Sequence, residues 1–415
     1  MDTGDTAWLL IASALVLLMT PGLAFFYGGL VRDTDVINTI KMSFVALAII
    51  AVEWAVVGYS LAFSANSTLI GGFLWAGLTG VGPEPNADYA ATVPHLAFMG
   101  YQMMFAIITP ALISGAIVGR MRFKAYLLFI LMWGLLIYNP IAHWVWAVDG
   151  WLRSLGALDF AGGTVVHISA GFSALAAAMI LGPRKDDAHS QPHNVPFVIL
   201  GASLLWFGWF GFNAGSALGA NGLASLAFVT TMLSAAAAVT VWILIEMFLK
   251  GRPTSVGAAI AAVVGLVAIT PAAGFVTPMA AIAIGAIASG VCFVSLQLFA
   301  KTKIDDTLDV FACHGVGGVV GAVLTGVFAV KSVNPAGADG LLAGNPQLLT
   351  AQLLAIVATA SFSVIGTMVI MYAIKFPIGL RPRTTDDESG IDSIEHGERA
   401  YDLTVPALKQ QGEAI

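Results

Sequence analysis

Two histidines stand inside long apolar runs: His167 closes LDFAGGTVVH (158–167) and His314 lies in LDVFACHGVGG (308–318). Both are flanked by Gly, Val and Ala, so nothing adjacent in sequence would hold a charge on either ring. A neutral imidazole offers one donor and one acceptor. Two facing imidazoles would share a proton and line a narrow polar path through apolar surroundings. The competing reading is a packing histidine bonded to a backbone carbonyl, and a matched pair weighs against it. A metal site needs three or more ligands. Only Cys313 is near, and its neighbouring position on a helix turns it away from His314, so no metal is expected and no cofactor is evident.

Other residues in or beside the apolar runs suit a small cation. Tyr101, Phe105, Trp144, Trp146 and Trp151 cluster toward one side. Trp and Tyr collect at membrane interfaces anyway, which accounts well for Trp144 and Trp151. A cation over an aromatic face still gains about 0.5–2 kcal/mol. Residues 206–216 (WFGWFGFNAGS) mix large rings with glycines, so the rings could plug a pore and Ser216, one turn after Phe212, could bond a ligand. Asp159 begins its run as a strong N-cap type and adds negative potential. Glu53 lies mid-run in AVEW, the most costly place for a carboxyl, with no partner evident from sequence.

The elements that must position these residues follow from composition. Of 415 residues, 58% are hydrophobic and 10% charged, against about 25% charged in a soluble domain. That excludes a cytoplasmic enzyme and a disordered chain. A net charge of −6 without a basic stripe excludes a nucleic-acid binder. Eleven runs are long enough to cross a bilayer: 7–28, 41–63, 93–117, 123–142, 160–182, 196–217, 224–249, 256–273, 277–300, 310–330 and 350–377. None alternates as a membrane β-strand would, so the fold class is an all-α integral membrane protein. The first run follows Asp2 and Asp5 and lacks a basic flank, so it reads as a true span and not a cleaved leader.

With the N-terminus outside, all but Arg153 and Lys331 of the eighteen Lys and Arg residues fall on the inner side. This places the C-terminus inside and requires an odd number of spans. Residues 1–378 form the spanning domain. Residues 379–415 form a polar inner tail carrying Asp386, Asp387, Glu388, Asp392, Glu395 and Glu398, long enough to recruit a partner. The two His-bearing segments each set an Asp (Asp159, Asp309) ahead of a Gly-rich run, and they open spans five and ten. Five spans per unit is odd, so the units would be inverted, with the site near the midplane at their interface and an eleventh helix added.

The motifs PGLAFFYGG (21–29), GYSLAF (58–63), DFAGG (159–163) leading to His167, GWFGFNAGS (208–216), His314-Gly315 and the tail 390–401 resemble the ammonium transporter family (Amt/Mep/Rh), specifically its microbial Amt branch, over essentially the whole chain. The resemblance implies a homotrimer in the cell membrane, each subunit with its own channel. It implies that Trp146, Phe105 and Ser216 form the outer ammonium recruitment site, joined by Tyr101 and underlain by Asp159. Phe105 and Phe212 match the gate, and His167 and His314 match the pore-lining twin histidines. Tyr101 stands where relatives often have Phe, making the cage more polar, and Glu53 stands where an apolar residue is expected. The mechanism so implied is capture of ammonium, deprotonation, passage of ammonia along the histidines and separate, electrogenic proton transfer. A PII-type (GlnK-like) signal protein is the implied inner-face partner. Other small solutes and an ammonium sensor remain alternatives. A membrane enzyme lacks a nucleophile elbow, an HExxH pattern and a paired-carboxylate motif.

Overall fold

The computed structural model describes residues 1–184, 191–382 and 390–401. Lys185, Arg383, Lys409, Asp386, Asp387 and Glu388, used above for orientation and the tail, lie outside them. Each apolar run forms a helix. These are α1 (Thr3–Leu30), α2 (Val36–Phe63), α3 (His95–Ser114), α4 (123–146), α5 (Gly163–Leu181), α6 (Val195–Ala214), α7 (Gly222–Lys250), α8 (Ser255–Ile269), α9 (Pro278–Phe299), α10 (Phe311–Phe328) and α11 (Pro346–Lys375). Among the described residues ten helices are long and apolar enough to cross a membrane. The tenfold set omits α8, a shorter apolar helix of 15 residues. At about 1.5 Å per residue it falls short of a hydrocarbon core of about 30 Å. Its Gly- and Ala-rich sequence lets neighbours press close, and every residue from Ala261 to Ile269 is buried.

Starts and stops follow sequence chemistry. Asn194, Asn221, Thr254, Thr277 and Asn345 each cap a helix by accepting a backbone N–H. Four helices contain a π-helical turn, at Trp54–Gly58, Gly134–Tyr138, Gly163–Ile168 and Phe311–Val316. Such turns are rare and concentrate at functional sites. One departure from an all-helical chain occurs in the long loop at 64–92 and just beyond it. There β1 (Pro85–Asn86) pairs antiparallel with β2 (Ala90–Pro94).

The two His-bearing segments share a local geometry, a π-turn after an acidic residue and a left-handed turn, but in a register different from the one read in sequence. The π-turn of α5 opens after Asp159, whose carboxylate accepts four backbone N–H bonds. In α10 the corresponding acceptor is Asp306, bonded by Phe311 N at 2.6 Å, and not Asp309. Asp309 instead occupies the left-handed turn before the helix (φ 57°), where the first copy has Gly162 (φ 116°). Asp306 and Asp159 stand at the same spacing from their histidines. The two repeat helices cross at Gly171 and Gly315, where a Cβ on Gly171 would collide with the Gly315 backbone. That crossing brings the π-turns, and both histidines, side by side.

Candidate functional site

A succession of aromatic rings leads from one end of the bundle to its centre. Trp146, at the end of α4, donates its indole N–H to the carbonyl of Asp159 at 3.1 Å. Its ring meets Phe105 of α3 edge-on at 5.8 Å between centroids. Phe105 packs on Phe212 of α6 at 4.3 Å and 40°. Phe212 and Trp209 in turn stack on His167, at 6.0 and 5.4 Å. His167 then stacks on His314 at 5.2 Å, with the two Nδ1 atoms 3.2 Å apart. At that spacing one ring donates and the other accepts.

Beyond Phe212 lies a narrow lumen lined by Phe212, Trp209, His167 and His314, with aliphatic side chains from α1, α3, α6 and α8. It offers about 10 Å³ for the centre of a water-sized molecule, about the room that one such molecule needs. The Nε2 atom of His167 is buried with no hydrogen-bond partner among the described residues. It is therefore available to a small polar guest. Phe105, Phe212, His167 and His314 are all at most 3% exposed.

The other residues singled out in the sequence lie as follows. Ser216 sits in the 3₁₀ turn that ends α6 and donates to the Phe212 carbonyl at 2.9 Å. Tyr101 packs against Phe105 at 5.0 Å. Its hydroxyl, expected to make the cage more polar, is engaged with the carbonyls of Gly211 and Phe212 at 2.9 and 2.8 Å. Asp159 is bound by the N–H groups of Gly162, Gly163, Thr164 and Val165 at 2.6–3.0 Å, which fixes the start of α5. Trp144 and Trp151 contact each other and the loop or α11, away from the column. Cys313 packs in a separate apolar cluster, and no group of three His, Cys, Asp or Glu suited to a metal occurs among the described residues.

Sequence reasoning missed two residues. In the sequence Trp209 is one ring among several; in the fold it stacks directly on His167. Asn139, which nothing in the sequence links to Glu53, donates its side-chain N–H to that residue at 2.8 Å. The signal was there: an amide in the apolar stretch LIYNPIA.

The loops that carry Arg32, Arg120, Arg122, Arg184 and Arg381 meet on the face opposite Trp146. Asp305 pairs there with Arg120 and Arg184, both at 2.9 Å. Burial works to raise its carboxyl, but the two guanidinium groups hold it below the usual range. The tail helix α12 (Gly390–His396) lies on the same face. Asp392 accepts from Ile37 N and Asn38 N, at 2.8 and 2.7 Å, capping α2 from 355 and 354 residues away. Glu395 accepts from Phe123 N at 3.0 Å and caps α4 likewise. His396 lies 3.0 Å from Asn38 Oδ1, and Glu398 pairs with Lys41 at 3.5 Å. Burial pushes the Asp392 carboxyl up to about 6.

Comparison with known proteins agrees with this architecture. Residues 7–401 match the Ammonium Transporter Family. An ammonium transporter of Bacillus subtilis is 50% identical over 97% of this chain and 99% of its own length. Ammonium transporter Amt1 of Archaeoglobus fulgidus is 46% identical over 97% and 100%. The crystal structure of Saccharomyces cerevisiae Mep2 superposes with a TM-score of 0.86 at 36% identity, over 92% of this chain and 90% of that one. A sensor Amt protein superposes with a TM-score of 0.84 at 31% identity, over 93% and 96%. The chain belongs to the ammonium transporter family, whose members are multi-pass membrane proteins.

Proposed function

We propose that the protein captures ammonium at Trp146, Phe105 and Ser216, deprotonates it and conducts ammonia past Phe105 and Phe212 along His167 and His314. The observation that carries this reading is the unbroken succession of rings from Trp146 to His314, ending in a lumen sized for one small molecule. Such a lumen penalises any bare cation by several kcal/mol or more. Ammonium escapes the penalty by giving up a proton; potassium cannot. Tyr101 holds the end of α6 that presents Ser216, and Asp159 adds negative potential beneath Trp146. The proton crosses by a separate route, making uptake electrogenic.

In this reading the subunit spans the cell membrane eleven times, N-terminus outside and C-terminus cytoplasmic, and assembles as a homotrimer. Residues 1–378 transport. The tail from 379 regulates, its helix α12 docked on the face where a PII-type signal protein would bind. Currents and uptake in liposomes test the scheme. An ammonium pulse gives a current that a potassium pulse does not, and the double change His167→Ala, His314→Ala abolishes selective flux. Equal responses to both ions would sink it. A second reading, ammonium sensing, draws on the likeness to a sensor Amt protein; ammonium binding with no flux in the same liposomes would favour it.

A further inference from the structure

Glu53 has no role in the path just described. It is 5% exposed and is the last residue before the π-turn Trp54–Gly58 interrupts α2. Asn139 is fully buried and follows the π-turn of α4, Gly134–Tyr138. Its amide donates to Glu53 Oε1 at 2.8 Å. Gly58 makes room for the acid, since a Cβ there would stand 2.7 Å from Oε1. On its other side Glu53 borders an apolar groove formed with Ile49, Val52, Val56, Leu131 and Leu135.

Two oxygens of this pair, Glu53 Oε2 and Asn139 Oδ1, are buried without a hydrogen-bond partner among the described residues. With Glu53 ionised, both are acceptors and neither can satisfy the other. An isolated carboxylate in apolar surroundings neutralises instead of bearing the full desolvation cost. One proton removes the charge and fills both vacancies. Carried on Oε2 and donated to Asn139 Oδ1, it would add a second bond to the existing N–H bond and close a two-bond acid–amide ring.

We propose that Glu53 carries this proton, and that the Glu53–Asn139 pair is a positioning element that fixes α2 against residues 139–146 of α4, the stretch ending in Trp146. The positioning role rests on the reading of Trp146 as a capture residue. The proton does not.

Infrared difference spectra of the protein in lipid at neutral pH, wild type against Glu53→Gln, test the proton. The carbonyl band of a protonated carboxyl is expected in the wild type and lost in the variant. Methylammonium uptake tests the positioning. Glu53→Gln, whose amide can close the same ring, is expected to keep half-saturation within about twofold, and Asn139→Leu to raise it about tenfold, the factor corresponding to 1.4 kcal/mol. Glu53→Asp, a methylene too short to close the ring, repeats the second comparison in a variant that keeps the acid. Absence of the carboxyl band in the wild type overturns the proton. Equal half-saturation in Glu53→Gln and Glu53→Asp overturns the positioning. Wild-type uptake in Trp146→Leu would overturn the capture reading alone and leave the infrared result standing.

Discussion

The Tyr101 hydroxyl donates to the Phe212 carbonyl at 2.8 Å and lies 3.2 Å from Ser216 Oγ. The extra oxygen in the aromatic cage thus ties α3 to the end of α6 and orients Ser216. Tyr101→Phe keeps the ring and removes that tie. It is expected to lower stability by about 1 kcal/mol and raise half-saturation for methylammonium about two- to fivefold. Thermal unfolding and tracer uptake check both.

Asp159 holds four backbone N–H groups through one carboxylate. Asp159→Ala leaves all four buried donors unmet and is expected to cost more than about 3 kcal/mol. Asp159→Asn keeps one acceptor oxygen and is expected to lose less. A thermal unfolding series in detergent, wild type above Asn above Ala, is the outcome to look for.

Gly171 faces the Gly315 backbone where α5 crosses α10. Gly171→Ala forces the two helices apart at the level of the histidines. Overpacking of this kind typically costs about 1–3 kcal/mol. Ammonium flux should fall along with stability, because the Nδ1 contact between His167 and His314 depends on that crossing. Full flux with lowered stability would separate the two.

Docking of α12 should depend on pH. The Asp392 carboxyl is raised by burial from 3.8 to about 6 when docked. The docked state therefore binds the proton more tightly than the free tail. Its contribution to docking is fully present below 3.8 and is lost as pH rises through about 6. His396 acts in the opposite sense. Burial and then Lys41 lower it from 6.5, so its contribution is present above 6.5 and lost as pH falls. Hydrogen exchange of residues 390–398 should show both trends, Asp392→Asn removing the first and His396→Gln the second.

Much of this was legible in the sequence. The apolar runs gave the helices, and scarcity of polar groups within them singled out His167, His314 and Glu53. Clusters of rings around Trp146 and in residues 206–216 stand out in the sequence, and it is the family resemblance that singles out Trp146, Phe105 and Phe212 among them. What escaped detection has physical causes. In sequence the shared Leu-Asp pair matches Asp159 with Asp309. The structure pairs it with Asp306, because Gly162 and Asp309 supply the same left-handed turn. Sequence weighed Glu53 alone, since nothing local points to a partner 86 residues away. The caps that Asp392 and Glu395 give to α2 and α4 are likewise contacts between distant segments. A run of apolar residues also does not reveal that α8 stops at Ile269 and turns.

The two remote caps and the buried acid–amide contact lie on the same pair of helices. Asp392 grips α2 at Ile37, and Glu395 grips α4 at Phe123. Glu53 and Asn139 join those helices again, and each stands the same number of residues beyond its gripped end. Tail and midplane contact are thus two rungs of one ladder. A ladder with two rungs resists shear between its rails, and removing either rung lets them slide. Lifting the tail therefore leaves the Glu53–Asn139 contact to hold, on its own, the two helices that the tail also joins.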